Sequence, residues 1–184
     1  MGYYQTIGKI GSRFIAPAAL MKYGFNLSPM YRRTTARVVH VSKDLTEIRV
    51  RLPISYRNRN YVGSIFGGSM FAAVDPFPMV QLINLLESKY IVWDKSAQIF
   101  FKRPAYEDLY AVFEYSHDEV NSIRSRVDER SEMEIVRVTP LTDKSGSTVF
   151  AEIHKTLYVA TKAHYNAKQE ARKKRVRAAA EAKG

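Results

Sequence analysis

Residues 60–68, Asn-Tyr-Val-Gly-Ser-Ile-Phe-Gly-Gly, run directly into residues 69–86, Ser-Met-Phe-Ala-Ala-Val-Asp-Pro-Phe-Pro-Met-Val-Gln-Leu-Ile-Asn-Leu-Leu, and the fold is read outward from this stretch. Residues 67 to 87 read as one long helix. Its apolar positions (Met70, Phe71, Ala72, Val74, Met79, Val80, Leu82, Ile83, Leu85 and Leu86) occupy nearly every face instead of one stripe. A helix apolar all round belongs in the middle of a core. Pro76 removes a backbone donor, so a kink is expected there.

On either side the pattern changes to a period of two. Ile48, Val50 and Leu52 alternate with Glu47, Arg49 and Arg51, a half-buried strand, and Ser42-Lys43-Asp44 makes a hairpin turn back to Val38–Val41. Strand-like runs follow at Tyr90–Phe101, Leu109–Tyr115, Glu134–Leu141 and Thr148–Ala160, the last two flanking a turn at Thr142–Gly146. Ser116-His117-Asp118-Glu119 has the form of a capping box, and Val120, Ile123 and Val127 continue at helical spacing. Residues 3 to 23 read as helical and end near Gly24, with a turn at Asn26-Leu27-Ser28-Pro29. Residues 162 to 182 form a basic, alanine-rich helix without an apolar stripe. The simplest assembly is an α+β fold in which one curved antiparallel sheet wraps the long helix, with extra helices at both ends.

Composition bounds the function. A chain of 184 residues, 46% hydrophobic and 26% charged, has the profile of a folded globular protein of one domain. With no cysteine it has neither disulfides, thiolate metal sites nor a cysteine nucleophile. The most apolar stretch, Ile65–Leu86, is interrupted by Asp75, Pro76, Pro78 and Gln81, so no membrane span is expected. The first residues lack the pattern of a secretory signal, which leaves a cytoplasmic address by default. Of the net charge of +11, more than half sits beyond residue 161, where eight Lys or Arg face two Glu. That tail includes Arg172-Lys173-Lys174-Arg175 and Arg177, and it reads as a solvated helix end, the alternative being an arm that touches nucleic acid, an anionic surface or a docking partner. Without interleaved aromatics it predicts no specific nucleic-acid partner.

The chemistry is concentrated around the start of the long helix. Gly67 and Gly68 leave backbone N–H groups free and approachable at the positive end of the helix dipole. Such groups can hold a carbonyl and its developing oxyanion; the same pair can equally serve close packing of helix on sheet. Asp75 lies eight residues on, in apolar surroundings where a carboxylate needs either a hydrogen-bonding partner or a catalytic purpose. At about 1.5 Å rise per residue it stands roughly 12 Å beyond Gly67, whereas a reacting carbonyl must lie about 3 Å from both its donor and its attacker. One helix cannot deliver both, so a shared site predicts an obligate dimer. Asn60 either positions a ligand or fixes its own loop. Asp94, which with Lys95 follows the single tryptophan, reads as an ion-pair or structural residue, with catalysis as the alternative. Lys102 and Arg103 either touch phosphates or are solvated. His40, His117, His154 and His164 are scattered without ligand spacing, so no metal is expected. Ser64 and Ser69 sit in no nucleophile elbow.

The motif Asn60-x-x-Gly63-x-x-Phe66-Gly67-Gly68 with Asp75 eight residues after Gly67 resembles the signature of hotdog-fold acyl-CoA thioesterases. The stretches Arg59–Gly63, Phe66–Ser69, Val74–Pro76, Tyr90–Lys95 and Phe101–Pro104 resemble a largely uncharacterised bacterial hotdog subfamily, and the resemblance covers about residues 26–161. It implies a single hotdog domain over 1–184, with a helical region at 1–25 and the basic helix at 162–184 as additions. It further implies an acyl-CoA hydrolase in which Gly67 forms the oxyanion hole, Asp75 activates water or attacks, and Asn60 positions substrate or water. Phe66, Gly68, Lys102 and Arg103 complete the implied substrate-binding set. The resemblance also implies a site shared across a homodimer, dimers that often pair into tetramers, and no cofactor beyond coenzyme A as part of the substrate. Two features depart from the pattern. Phe66 stands where a histidine is common, and Pro76 directly follows Asp75. The alternative function is a non-catalytic acyl-CoA or fatty-acyl binding protein using the same pocket.

Overall fold

A computed structural model describes residues 16–181 of the chain. Its elements are α1 (Pro17–Leu27), α2 (Pro29–Arg32), β1 (Arg37–Val41), β2 (Glu47–Leu52), α3 (Gly67–Val74), α4 (Phe77–Leu85), β3 (Tyr90–Phe101), β4 (Leu109–Glu114), α5 (His117–Arg130), β5 (Glu132–Thr142), β6 (Val149–Thr161) and α6 (Lys162–Glu181). The six strands form one antiparallel sheet in the order β1-β2-β4-β5-β6-β3.

The sheet's inner face and the central helices form the core. Val38, Ile48, Val50, Leu52, Leu109, Ala111, Leu141 and Ile153 from the strands pack with Met70, Ala73, Val74 and Phe77. A second cluster joins Leu82 and Leu86 to Val92, Leu157 and Val159 and to Val120, Ile123 and Val127 of α5. The buried Gln81 amide donates to the carbonyls of Leu45 (2.9 Å) and Thr46 (3.0 Å), tying α4 to the β1–β2 turn. The start of α5 follows the capping pattern in part. Ser116 Oγ accepts from Glu119 N at 3.0 Å, whereas the Glu119 carboxylate turns to Arg137.

Two helices differ from expectation. The long central helix is two helices, α3 and α4, separated at Asp75–Pro76. Pro76 and Pro78 both lack an N–H, so the carbonyls of Ala72 and Val74 lose their helical donors. The neighbouring carbonyls are served from outside: Tyr31 Oη donates to Ala73 O at 3.0 Å and Lys155 Nζ to Asp75 O at 2.5 Å. Burial raises the Tyr31 phenol far above its usual range, which keeps it a donor at any working pH. At the N-terminal side, α1 passes through Gly24 to Leu27. It ends at Ser28, which Pro29 forces into an extended conformation (ψ 124°). The expected helix over residues 3–15 lies outside the described residues.

Candidate functional site

The loop from Ser55 to Phe66 delivers the chain to the start of α3. Asn60 organises its tip. Its Oδ1 accepts from Val62 N and Ser64 N (3.1 Å each), and its Nδ2 donates to Ser64 Oγ at 2.8 Å. Gly63 takes the left-handed conformation the turn requires (φ 82°). The loop is then pinned from both sides, because Ile65 N donates to Ala105 O (2.8 Å) and Phe66 N to Asn58 O (2.7 Å).

Phe66 is the N-cap of α3 and offers no capping side chain. Phe66 O accepts from Ser69 N and Met70 N, which leaves the N–H groups of Gly67 and Gly68 without a partner among the described residues. Both glycines also sit under aromatic rings. A Cβ on Gly67 would lie 2.6 Å from the Phe101 ring, and one on Gly68 would lie 2.3 Å from the Phe66 ring. The close-packing reading and the bare-amide reading of this pair therefore hold together.

These residues line a surface groove of about 620 Å³ with Asn60, Ser64, Ile65, Met70, Phe101, Lys102, Arg103 and Pro104. Six of the seven residues singled out in the sequence are thus brought together: Asn60, Phe66, Gly67, Gly68, Lys102 and Arg103. Lys102 pairs with Glu152 at 3.1 Å, while the exposed Arg103 has no carboxylate partner among the described residues.

Asp75 lies outside the groove lining, at the break between α3 and α4. Its partner is Lys155, a residue the sequence reading did not single out. The Lys155 side chain is completely buried and its Nζ bridges Asp75 Oδ1 (2.7 Å) and Asp94 Oδ2 (2.8 Å). The carboxylates keep access to solvent, 43% of the side chain for Asp75 and 31% for Asp94. A bulge between Asp94 and Ser96 positions the cluster. The bulge sets Asp94 opposite Leu157 and Ala97 opposite Lys155, so both face the same side as the inward residues of β6. The signal for Lys155 was present: it interrupts the inward series Val149, Ala151, Ile153, Leu157, Val159 with a charge. A lysine at a core position demands counter-charges within reach of its ammonium.

Groove and cluster border a strand with little cover. β3 is an edge of the sheet, and from Trp93 to Gln98 every residue on both of its faces is exposed. Trp93, Phe100 and Phe101 remain 52%, 43% and 57% exposed.

Several solved structures share this architecture. PA5026 from Pseudomonas aeruginosa, a protein of unknown function described as a probable thioesterase, matches with a TM-score of 0.68 at 20% identity, covering 78% of this chain and 95% of that one. The protein OLEI01261 of unknown function from Chlorobaculum tepidum matches with a TM-score of 0.62 at 12% identity, covering 78% and 93%. Thioesterase HI1161 from Haemophilus influenzae matches with a TM-score of 0.54 at 13% identity, covering 77% and 88%. No curated protein sequence matches the chain. The likeness establishes the α+β hotdog fold, a curved antiparallel sheet with helices, as the motif around Gly67 had implied. The match of a family model to residues 18–159, most of the chain, goes further: the protein belongs to the family described as a domain of unknown function, DUF4442.

Proposed function

We propose that the protein hydrolyses acyl thioesters, with acyl-CoA as the substrate class, at a site completed by a second copy of the chain. The observation that carries this reading is the pair of Gly67 and Gly68 N–H groups, unpartnered among the described residues, in the lining of the groove. The thioester carbonyl accepts from these amides, and the fixed dipoles hold the oxygen more strongly as negative charge develops on it. Phe66 and Phe101 flank the groove as apolar surface for the acyl chain, and Arg103 and Lys102 are placed to meet anionic groups of the thiol carrier. Water activated by Asp75 of the second copy attacks the carbonyl carbon. The C–S bond breaks, the thiolate leaves and takes up a proton, and the acid is released. Lys155 holds one oxygen of Asp75, Oδ1, and leaves Oδ2 free to accept from the water.

Support for the second copy comes from β3, whose free edge and uncovered aromatics give an antiparallel partner strand both hydrogen-bonding groups and apolar area to bury. Pairs of such dimers forming tetramers, and a cytoplasmic address where acyl-CoA is met, belong to the same proposal. Among the described residues no helix is long and apolar enough to cross a membrane.

The competing reading, a non-catalytic acyl-CoA or fatty-acyl binder, has two observations in its favour. The Asn60 amide is committed to its own loop, and no histidine stands at Phe66. Purified protein assayed for thiol release on a panel of acyl-CoA esters separates the two. The hydrolase reading expects turnover that Asp75→Ala abolishes and Asp75→Asn lowers at least about 100-fold, the scale of a lost general base. Tight acyl-CoA binding by calorimetry without thiol release over hours establishes the binder instead.

A further inference from the structure

A second cleft has a volume of about 440 Å³. Pro29, Arg32, Arg33, Thr35, Arg37 and Arg57 line it. All four arginines are exposed, and among the described residues none of them pairs with a carboxylate. By contrast Arg49, Arg51 and Arg137 each hold an acid on their own surfaces. Four guanidinium groups around one concavity repel one another, and no acidic residue lines it. An anion resolves that repulsion.

The cleft is also built, not a chance meeting of long side chains. Thr35, one of its lining residues, adopts a left-handed backbone (φ 68°), which a β-branched residue resists. It is held there by Asn58, a side chain only 2% exposed, whose Nδ2 donates to Thr35 Oγ1 (2.8 Å) and Pro53 O (2.8 Å) while its Oδ1 accepts from Ser55 N (2.8 Å). One buried amide thus locks the loop bearing Arg57 against the turn bearing Arg32 and Arg33. Arg57 is further fixed over the Tyr56 ring, with Nε donating to Tyr56 Oη at 3.0 Å. Arg37 spends one donor on Ala36 O (3.0 Å). The remaining guanidinium donors have no hydrogen-bond partner among the described residues. Planar forks of this kind match phosphate oxygens pairwise, and their number calls for more than one phosphate.

We propose that this arginine cleft is a binding site for a ligand carrying two or more phosphate groups. Its effect can reach the groove, because Asn58 O accepts from Phe66 N (2.7 Å), the residue that starts α3. The phosphates have two possible sources, the nucleotide end of coenzyme A or a free polyphosphate or nucleotide. Both present the same chemistry to the cleft.

Calorimetry on the full chain with inorganic pyrophosphate, and separately with adenosine 3′,5′-bisphosphate, reads binding without requiring any turnover. Its outcome is therefore independent of whether thioesters are hydrolysed. The double variant Arg33→Ser, Arg57→Ser is compared with Lys43→Ser, Lys144→Ser, which removes the same charge from exposed positions elsewhere. The expected result is binding to the wild-type chain that the arginine variant weakens at least about tenfold and the lysine variant leaves unchanged. Displacement of pyrophosphate by coenzyme A then assigns the phosphates to the thioester carrier, and its failure assigns them to a free ligand. Absence of binding by the wild-type chain, or equal weakening in the two variants, overturns the proposal.

Discussion

Replacing Lys155 with methionine removes the cation that bridges Asp75 and Asp94 while keeping the length of the apolar stem. Deleting one member of a buried ion pair costs about 3–5 kcal/mol, because the other charge is left without compensation. Here Asp75 and Asp94 keep 43% and 31% of their side-chain surface in solvent, so water takes over part of the lost solvation. That brings the ionic part to about 2 kcal/mol. The Asp75 carbonyl also loses its donor, at 2.5 Å in the native chain, and no helical N–H replaces it. An unsatisfied carbonyl adds about 1 kcal/mol. The total of about 3 kcal/mol corresponds to a Tm lowered by roughly 6–12 °C for a chain of this size. Thermal unfolding followed by circular dichroism at pH 7 gives the value directly. Adding Asp75→Asn and Asp94→Asn removes the uncompensated charges and is expected to recover about half of the loss. A Lys155→Met chain melting within about 2 °C of wild type would refute the reasoning, since the cluster would then contribute nothing to the fold.

Gly67→Ala places a methyl group 2.6 Å from the Phe101 ring, an exposed side chain able to swing aside. Stability should change by less than about 1 kcal/mol, alanine's helical preference offsetting the displaced ring, while thiol release falls at least about tenfold because a carbonyl can no longer reach the amides. Melting and turnover of the same preparation check both halves. Glu132 accepts from Lys168 and Tyr158 and faces His164, and these contacts pull its carboxyl from 4.5 down to about 2. The folded value lies below the unfolded one, so the contribution is complete above about pH 4.5 and is lost as pH falls toward 2. Hydrogen exchange in α6 should accordingly be faster in Glu132→Gln than in wild type at pH 6, with the difference shrinking at pH 3.

The sequence was most legible where one physical demand dominates. Alternation of Ile48, Val50 and Leu52 placed β2, and Tyr90–Phe101 is β3 residue for residue. The dense apolar series from Met70 to Leu86 assigned the helix to the core, and Pro76 marked its break. Pro78 turned that kink into two helices, because a second missing donor left the break without repair. One side of the groove was legible as well, since Asn60, Phe66, Gly67 and Gly68 lie at a loop and a helix start only a few positions apart, whereas the Phe101–Pro104 side is brought to it by the end of β3.

The sequence by itself determined the fold class and the chain-local part of the site, because periodicity, proline and glycine act through the residues beside them. Only the tertiary structure joined Lys155 on β6 to Asp75 and Asp94. It alone brought Arg57 across to Arg32, Arg33 and Arg37, and put the Phe101 ring over Gly67. Those meetings depend on strand order, on a one-residue bulge and on a buried amide. None of these leaves a periodic trace, since the energy that sets them comes from contacts between segments distant along the chain.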